Sequence, residues 1–490
     1  MPLHGLLAER ASRYRDRLAV RLIFRYDGLT PVEAKLTYRQ LDEQASRFAA
    51  ALAALGVRRG DRVALLLPNL PQFVIGYFGA LRAGALVVCA NPAHTARELM
   101  EQFGDAGVET VVGLGADLAK LREVQARVPA LLQYTGGTTG APKAAILTHY
   151  NLIANALQMR GWMSALKDGS ERVMGALPFF HRKVHCVYVY GMTVAMNLAI
   201  CMGAELLMVP DARAIDFVMT VIEREKVSIF PGVPTTYIAL INRPDVAGYD
   251  LRSVRACISG AASLPLDIQL RFDALTGGRL VEGYGLTEAS PVTHCTPIFG
   301  RRVAGSMGLP LPDTEAKIVD PDTRQDLPNG QRGELWVRGP QVMKGYWNSP
   351  AETEQAITGD GWLRTGDIAH MDEDGYFTIV DRLKDIIITS GFNVAPREVE
   401  EVLYEHPAVR EAAVAGLPDP YRGERVKAYV VLKVADAVTP AEIIAFCKER
   451  LAPYKVPVEV EFRSQLPKSA VGKVLRRILV EEERSRQAGA

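Results

Sequence analysis

Short apolar runs alternate with amphipathic helical patterns through roughly the first 300 residues of the chain. Arg62 to Leu67 and Ala85 to Cys89 are runs suited to buried strands, with a helical segment from about Leu70 to Arg82 and then Gly84 between them. Thr37-x-x-Gln40 is a capping box that opens a helix. Leu41, Ala45, Phe48, Leu52 and Leu55 then fall on one face, and Gly56 ends it. Asn151 to Trp162 and Ala214 to Glu225 read as helices. Ala204 to Val209, Val227 to Phe230 and Ala256 to Ser259 read as strands. Such alternation favours an α/β fold with parallel sheets covered by helices.

The pattern changes after about residue 300. Glu315 to Val319 and Gly333 to Arg338 are short strands separated by Pro/Asn/Gly turns, a small β-rich section. A compact α/β unit begins near Lys384, with helix Pro396 to Glu405, strand Val426 to Lys433 and helix Pro440 to Arg450. Asp381-Arg382-Leu383-Lys384-Asp385 is the candidate domain junction.

Composition narrows the function classes. Lys and Arg number 57 against 56 Asp and Glu, so no broad basic field points to nucleic acid. The cysteines, at 89, 186, 201, 257, 295 and 447, contain no Cys-x-x-Cys pair; neither a zinc site nor a disulfide framework follows, and a reducing, cytoplasmic compartment is expected. The N-terminus has several arginines but no apolar signal region. The most hydrophobic stretch, Val63 to Cys89, is interrupted by Pro68, Asn69, Pro71, Gln72 and Arg82 and cannot be a membrane span. Peripheral membrane contact and a homodimer stay open.

Five clusters carry chemistry. Tyr134-Thr135-Gly136-Gly137-Thr138-Thr139-Gly140-Ala141-Pro142-Lys143 follows the apolar run Ala130-Leu131-Leu132, which reads as the end of a strand. Its glycines let backbone N–H groups form an anion nest, and Lys143 adds a charge. It is not a Walker A loop, because the Gly-Lys-Ser/Thr ending is absent. Ser259-Gly260-Ala261-Ala262 could let a flat ring lie against backbone. Glu282-Gly283-Tyr284-Gly285-Leu286-Thr287-Glu288 places an aromatic, a hydroxyl and a carboxylate on a flexed turn. Asp367, in Gly361 to Asp367, could accept both hydroxyls of a ribose. Pro467 to Lys473 puts Lys473 on a loop near the C-terminus. Taken one at a time, Tyr284 could equally be core, Glu288 a solvated face, Asp367 a turn former and Lys473 a surface charge.

In this order, and over nearly the whole chain, these segments resemble the adenylate-forming superfamily of acyl-CoA synthetases, luciferases and peptide-synthetase adenylation domains. Tyr284-Gly285-Leu286-Thr287-Glu288-Ala289-Ser290-Pro291 and the region from Asp360 to Asp385 look closest to bacterial long-chain fatty acid–CoA ligases. The resemblance implies two steps: a fatty acid carboxylate attacks ATP to give acyl-AMP and pyrophosphate, and coenzyme A then displaces AMP. It implies that Thr135, Gly136, Gly137, Thr138, Thr139, Gly140 and Lys143 hold the phosphates, and that Thr287 contacts the α-phosphate. Glu288, with Thr138, would hold Mg²⁺. Tyr284 would stack on adenine beside Gly260, Ala261, Ala262 and Gly285, while Asp367 and Arg382 would hold the ribose. Lys473 would bridge carboxylate and α-phosphate in the first step only, and His181 would sit beside the acyl carboxylate. Met192, Gly232, Val233, Gly283 and Gly285 would border the acyl pocket. Gly391 would line the thiol tunnel, brought up when a mobile C-terminal lid domain, 387–490, rotates on a hinge at 382–386 about Lys384 relative to an adenylation domain, 1–381.

The chain departs from that pattern twice. Seven residues, Arg182 to Tyr188, intervene between Phe179-Phe180-His181 and Val189-Tyr190-Gly191-Met192-Thr193, and His185 within them competes with His181. Only about twenty residues separate Val111-Val112 from the glycine-threonine loop, where relatives carry several tens more. A ligase for another acid, such as an aryl acid, or one that loads a carrier protein stays open, as does a non-catalytic nucleotide binder.

Overall fold

The structure is a computed structural model that describes residues 2–23, 33–114, 144–177, 179, 187–262, 264, 266–390, 392–419, 421–434, 437–467, 474 and 476–488. The chain divides into two compact units, residues 1–315 with 337–363 and residues 316–336 with 364–490.

In the first unit, strands Leu86–Ala90, Arg62–Leu66 and Val108–Gly113 lie side by side in that order, all parallel. Val63 to Leu66 are fully buried, as a parallel strand covered on both faces requires. Helices Tyr38–Ala54, Ala96–Ala106 and His149–Trp162 each open on a threonine, Thr37, Thr95 or Thr148. Its hydroxyl accepts from the N–H three residues on, and the side chain there returns the bond. Leu55, expected on the buried face of the first of these, is 78% exposed because that helix ends at Ala54 and turns at Gly56.

A second sheet runs Glu33–Thr37, Leu18–Ile23, Glu205–Met208, Arg172–Gly175, with only the first pair antiparallel. Val227 to Phe230 is not a full strand. Ile229 makes single bridges to Val173 and Ala256, and Pro231, which has no N–H to donate, follows directly. Strand Ala256–Ser259 pairs in parallel with Arg279–Gly285, which continues antiparallel to Val292–Cys295. Phe230, Tyr237, Phe272, Ile222 and Leu280 fill the apolar core beneath.

The second unit holds two sheets. One runs Glu315–Val319, Gly333–Arg338, Leu363–Met371, Phe377–Arg382, and its first two strands match the expected ones residue for residue. The other runs Phe392–Val394, Ile387–Thr389, Gly423–Leu432, Val409–Asp419, with Glu459–Phe462 parallel to Gly423–Leu432. Val399 and Leu403 of helix Pro396–Glu405 pack over its core with Val414, Ala428 and Ile443. Across Gly423–Leu432 and the C-terminal helix Arg476–Ala488 lies a charge cluster. The Lys427 side chain is 2% exposed, and its ammonium sits 2.6 Å from Glu459, 2.9 Å from Glu461 and 3.0 Å from Glu483.

Among the described residues no helix is long and apolar enough to cross a membrane. Cys89, Cys201, Cys257, Cys295 and Cys447 are buried free thiols; Cys186 lies outside the described residues.

Candidate functional site

Strands Ala256–Ser259 and Arg279–Gly285 run parallel with Ser259 opposite Glu282, so Gly260-Ala261-Ala262 leaves the sheet beside Tyr284-Gly285, the carboxyl end of the second strand. That end is where open α/β sheets bind ligands. A cavity opens there, lined by Tyr190, Gly260, Ala261, Tyr284 and Pro291 among others. Ala261 holds a left-handed φ of 71°, which turns the chain away from the strand end.

Tyr284 lies opposite His294 on the neighbouring strand, their rings edge to face at 6.0 Å between centroids. His294 is fully buried, with Nδ1 2.9 Å from the Thr293 hydroxyl; burial lowers its pKa to about 3 and keeps the imidazole neutral. Thr287 and Glu288 follow on a single 3₁₀ turn, Thr287–Ala289. The Tyr346 hydroxyl donates to Glu288 Oε1 at 2.8 Å, and the Glu288 carbonyl accepts from Met343 N–H at 2.7 Å. The Tyr346 bond thus holds the carboxylate, and the Met343 bond holds the backbone that carries it.

The expected acyl-pocket residues are close to this cavity but tightly packed. A Cβ on Gly232 would stand 2.9 Å from the Tyr237 ring, and one on Gly285 only 2.1 Å from the Pro291 carbonyl oxygen. Close approach of neighbours accounts for glycine at both positions. Met192 and Val233 are buried; Met192 opens a π-helical stretch, Met192–Asn197, and its sulfur lies 3.9 Å from Cys89 Sγ.

Two tyrosines that the sequence did not single out brace this wall. The Tyr190 hydroxyl donates to the Ile258 carbonyl at 2.8 Å and lies 3.2 Å from the Gly232 carbonyl. The Tyr237 hydroxyl donates to the Phe230 carbonyl at 2.7 Å and lies 3.0 Å from that of Ile258. Burial pushes both phenols well up, so they remain neutral donors. The available signal was a tyrosine in an otherwise apolar segment, Val189-Tyr190-Gly191, since a buried phenol needs an acceptor.

In the second unit, Asp367 and Arg382 face each other across strands Leu363–Met371 and Phe377–Arg382, with Nε 3.4 Å from Oδ1. The antiparallel register thereby joins two residues fifteen apart that the sequence had assigned to one ribose. Lys384 falls in the 3₁₀ turn Leu383–Asp385. Thr135 to Lys143, His181, His185, Gly391 and Lys473 lie outside the described residues.

Among the described residues no three His, Cys, Asp or Glu side chains stand together as a metal cage. Mg²⁺ commonly takes one or two carboxylates together with substrate phosphates, and the hard oxygen donors of Glu288 fit that mode.

The AMP-binding enzyme family model matches residues 7–128 and 116–347, and the AMP-binding enzyme C-terminal domain matches residues 398–473. The two segments of the first match overlap at residues 116–128, within the short run after Val112. The chain is 42% identical to a long-chain-fatty-acid–CoA ligase of Bacillus subtilis (strain 168), covering 98% of this chain and 94% of the relative. That alignment spans 546 positions, 56 more than this chain has residues, so the relative carries segments that are missing here. A long-chain-fatty-acid–CoA ligase of Yersinia pestis is 39% identical over 91% of this chain and 90% of its own. Among solved structures, ATP-bound MatB from Rhodopseudomonas palustris superposes with a TM-score of 0.88 at 30% identity, covering 98% of this chain and 99% of that one.

Proposed function

The chain belongs to the AMP-binding enzyme family, and on that premise we propose that it is an ATP-dependent acyl-CoA synthetase for medium- and long-chain fatty acids. The acid is activated as acyl-AMP with release of pyrophosphate, and the acyl group then passes to coenzyme A with release of AMP. The observation that carries this reading is the likeness, along nearly the full length of both chains, to a long-chain-fatty-acid–CoA ligase.

The chemistry assigns work to each part. A carboxylate is a poor nucleophile toward a polyphosphate, so fixed positive charge and oriented donors must offset the charge that develops at the α-phosphate. Thr135 to Thr139, Gly140 and Lys143 take the β- and γ-phosphates in this reading, and Thr287 the α-phosphate. Glu288, with Thr138, would hold Mg²⁺, which would neutralise phosphate charge when bound. Tyr284 stacks on adenine, oriented by the edge of His294. Asp367 and Arg382 hold the ribose, Lys473 serves the first step and Gly391 the second. His181 and the wall at Met192, Gly232, Val233, Gly283 and Gly285 flank the acyl group. Residues 387–490 then alternate between two settings about Lys384, because one centre cannot take Lys473 and the thiol path together. We place the enzyme in the cytoplasm. Peripheral membrane contact and a homodimer are the associations to check, by vesicle co-sedimentation and light scattering.

The test is coenzyme A-dependent AMP release across C4 to C18 acids, acetate and cinnamic acids. Each buried methylene adds about 0.8 kcal/mol until the pocket ends, so efficiency should rise with chain length and acetate should be far poorer than octanoate. Equal efficiency for acetate and palmitate, or a preference for cinnamic acids, overturns the fatty-acid assignment.

A further inference from the structure

Helix Pro396–Glu405 has Ala395 at its N-cap, a residue with no side-chain acceptor for the first N–H groups. Asp381, from the other side of the junction, fills that role: its Oδ2 accepts from Arg397 N–H at 2.9 Å and its Oδ1 from Arg382 N–H at 2.8 Å. Asp381 is buried. It also receives Arg476, whose Nη1 lies 3.5 Å from Asp381 Oδ1 and 3.4 Å from Asp385 Oδ2. Two further contacts bridge the same junction. Arg397 Nη1 donates to the Ile379 carbonyl at 3.0 Å, and Arg332 pairs with Glu398 in the first turn of the helix.

The partners of Arg476 divide in a telling way. Its Nη2 donates to both oxygens of Glu400, at 2.9 and 2.8 Å, and Glu400 lies beyond the junction with Arg476 itself. If the chain turned at 382–386, Arg476 would lose Asp381 but keep Glu400, and no buried guanidinium would be stranded. Asp381 would keep the Arg382 N–H. The bonds from Arg397 and Arg476 to Asp381 would break together, while Arg476 keeps Glu400 and Arg397 keeps Glu401. A permanent brace lacks that property; Lys427, enclosed by three carboxylates, is the contrasting case.

We propose that Asp381 is a positioning residue, a releasable latch that caps helix Pro396–Glu405 and receives Arg476 across the junction, and so holds one of the two settings of the C-terminal domain. The proposal rests on the domain alternation assigned above. Arg476 lies three residues beyond Lys473 in sequence, so the latch ties the start of the C-terminal helix, next to the lysine loop, to the strand that ends at Arg382.

The experiment uses the full-length enzyme and the variants Asp381→Ala and Arg332→Glu, the second at a position whose side chain is 55% exposed. Trypsin nicking after Arg382 and Lys384 is timed without substrates. The two half-reactions are measured separately, by pyrophosphate exchange and by thioester formation from supplied acyl-AMP. Losing one helix cap predicts nicking faster by about fivefold or more in Asp381→Ala, and the ratio of half-reaction rates displaced by a similar factor. Replacing an exposed attraction by a repulsion predicts a displacement in the same direction of roughly threefold for Arg332→Glu. A merely structural role would lower both half-reactions together. Folded variants with nicking and ratio unchanged overturn the latch; if Asp381→Ala does not fold, Arg332→Glu decides. A parent enzyme that releases no AMP with any acid overturns the functional reading instead, and the nicking rates still judge the latch.

Discussion

The wall of the first unit's cavity and the junction of the second unit are held by opposite means. At the cavity, two buried phenols donate to main-chain carbonyls of Phe230 and Ile258, and the packing around them is apolar. At the junction, Asp381, Glu400 and Arg476 carry formal charges and meet backbone N–H groups and one another. A phenol has one proton to donate, and the close-packed core around its ring fixes where that proton can go. A guanidinium with five donors can give up one carboxylate and keep another. The first device suits a wall of fixed shape, and the second suits the joint proposed above to move.

The sharpest way to break this contrast is at Lys473, the reading's mobile charge. Lys473→Ala should lower pyrophosphate exchange by about 10²–10³-fold, as loss of one oriented electrostatic stabiliser does, yet leave supplied acyl-AMP converting to acyl-CoA. Lys384→Pro should do the reverse, since proline fixes φ where the joint must turn. Equal loss of both halves in both folded variants removes the idea of a moving joint. Lys427→Met comes next and tests charge used as permanent scaffolding. It leaves Glu459, Glu461 and Glu483 facing one another and should cost about 3 kcal/mol in chemical unfolding, the low end for a broken buried pair because Glu459 is half exposed.

The third test concerns acid. His294 is neutral in the folded chain down to about pH 3, whereas the unfolded chain takes up that proton near the ordinary value of 6.5. Unfolding therefore binds a proton below pH 6.5, and stability falls with falling pH by up to about 1.4 kcal/mol per unit. Thermal melts from pH 7 to 4 should show this slope, and His294→Gln should flatten it. An unaltered slope would move the acid sensitivity elsewhere. The smallest effect is expected at the cavity wall: Tyr190→Phe removes one hydroxyl and should cost about 1 kcal/mol while leaving the half-reaction ratio unchanged. A changed ratio would mean that the wall, too, takes part in the motion.

Much of the local structure was legible because it is written locally. Thr37 with Gln40 announced a helix start, and turn residues around Glu315–Val319 and Gly333–Arg338 set off those strands. The segment Glu282 to Glu288 read as a flexed turn, but Glu282 to Gly285 complete a strand and the turn comes only at Thr287 to Ala289. Asp367 and Arg382 could be assigned to one task, but only the antiparallel register explains why they meet. Partnerships across long stretches of chain were not legible. Tyr190 reaches Ile258 and Arg476 reaches Asp381, and neither spacing has a period that a sequence pattern could reveal. Helix Pro396–Glu405 was placed correctly, yet the residue that caps it lies before the junction and outside any capping motif. The single bridge at Ile229 and the exposed Leu55 show the limit of apolar runs, which mark burial but not the ladder or the helix end.

The second unit is assembled from two separate stretches of chain, 316–336 and 364–490. On the ribosome, strands Glu315–Val319 and Gly333–Arg338 are made before Leu363–Met371, the strand that covers the edge of the pair. At ordinary synthesis rates that gap lasts on the order of a few seconds, during which a half-made sheet exposes an unpaired edge. A nascent chain stalled or cut before Leu363 would carry that edge indefinitely, so fragments ending near residue 340 should be aggregation-prone while the complete chain is not.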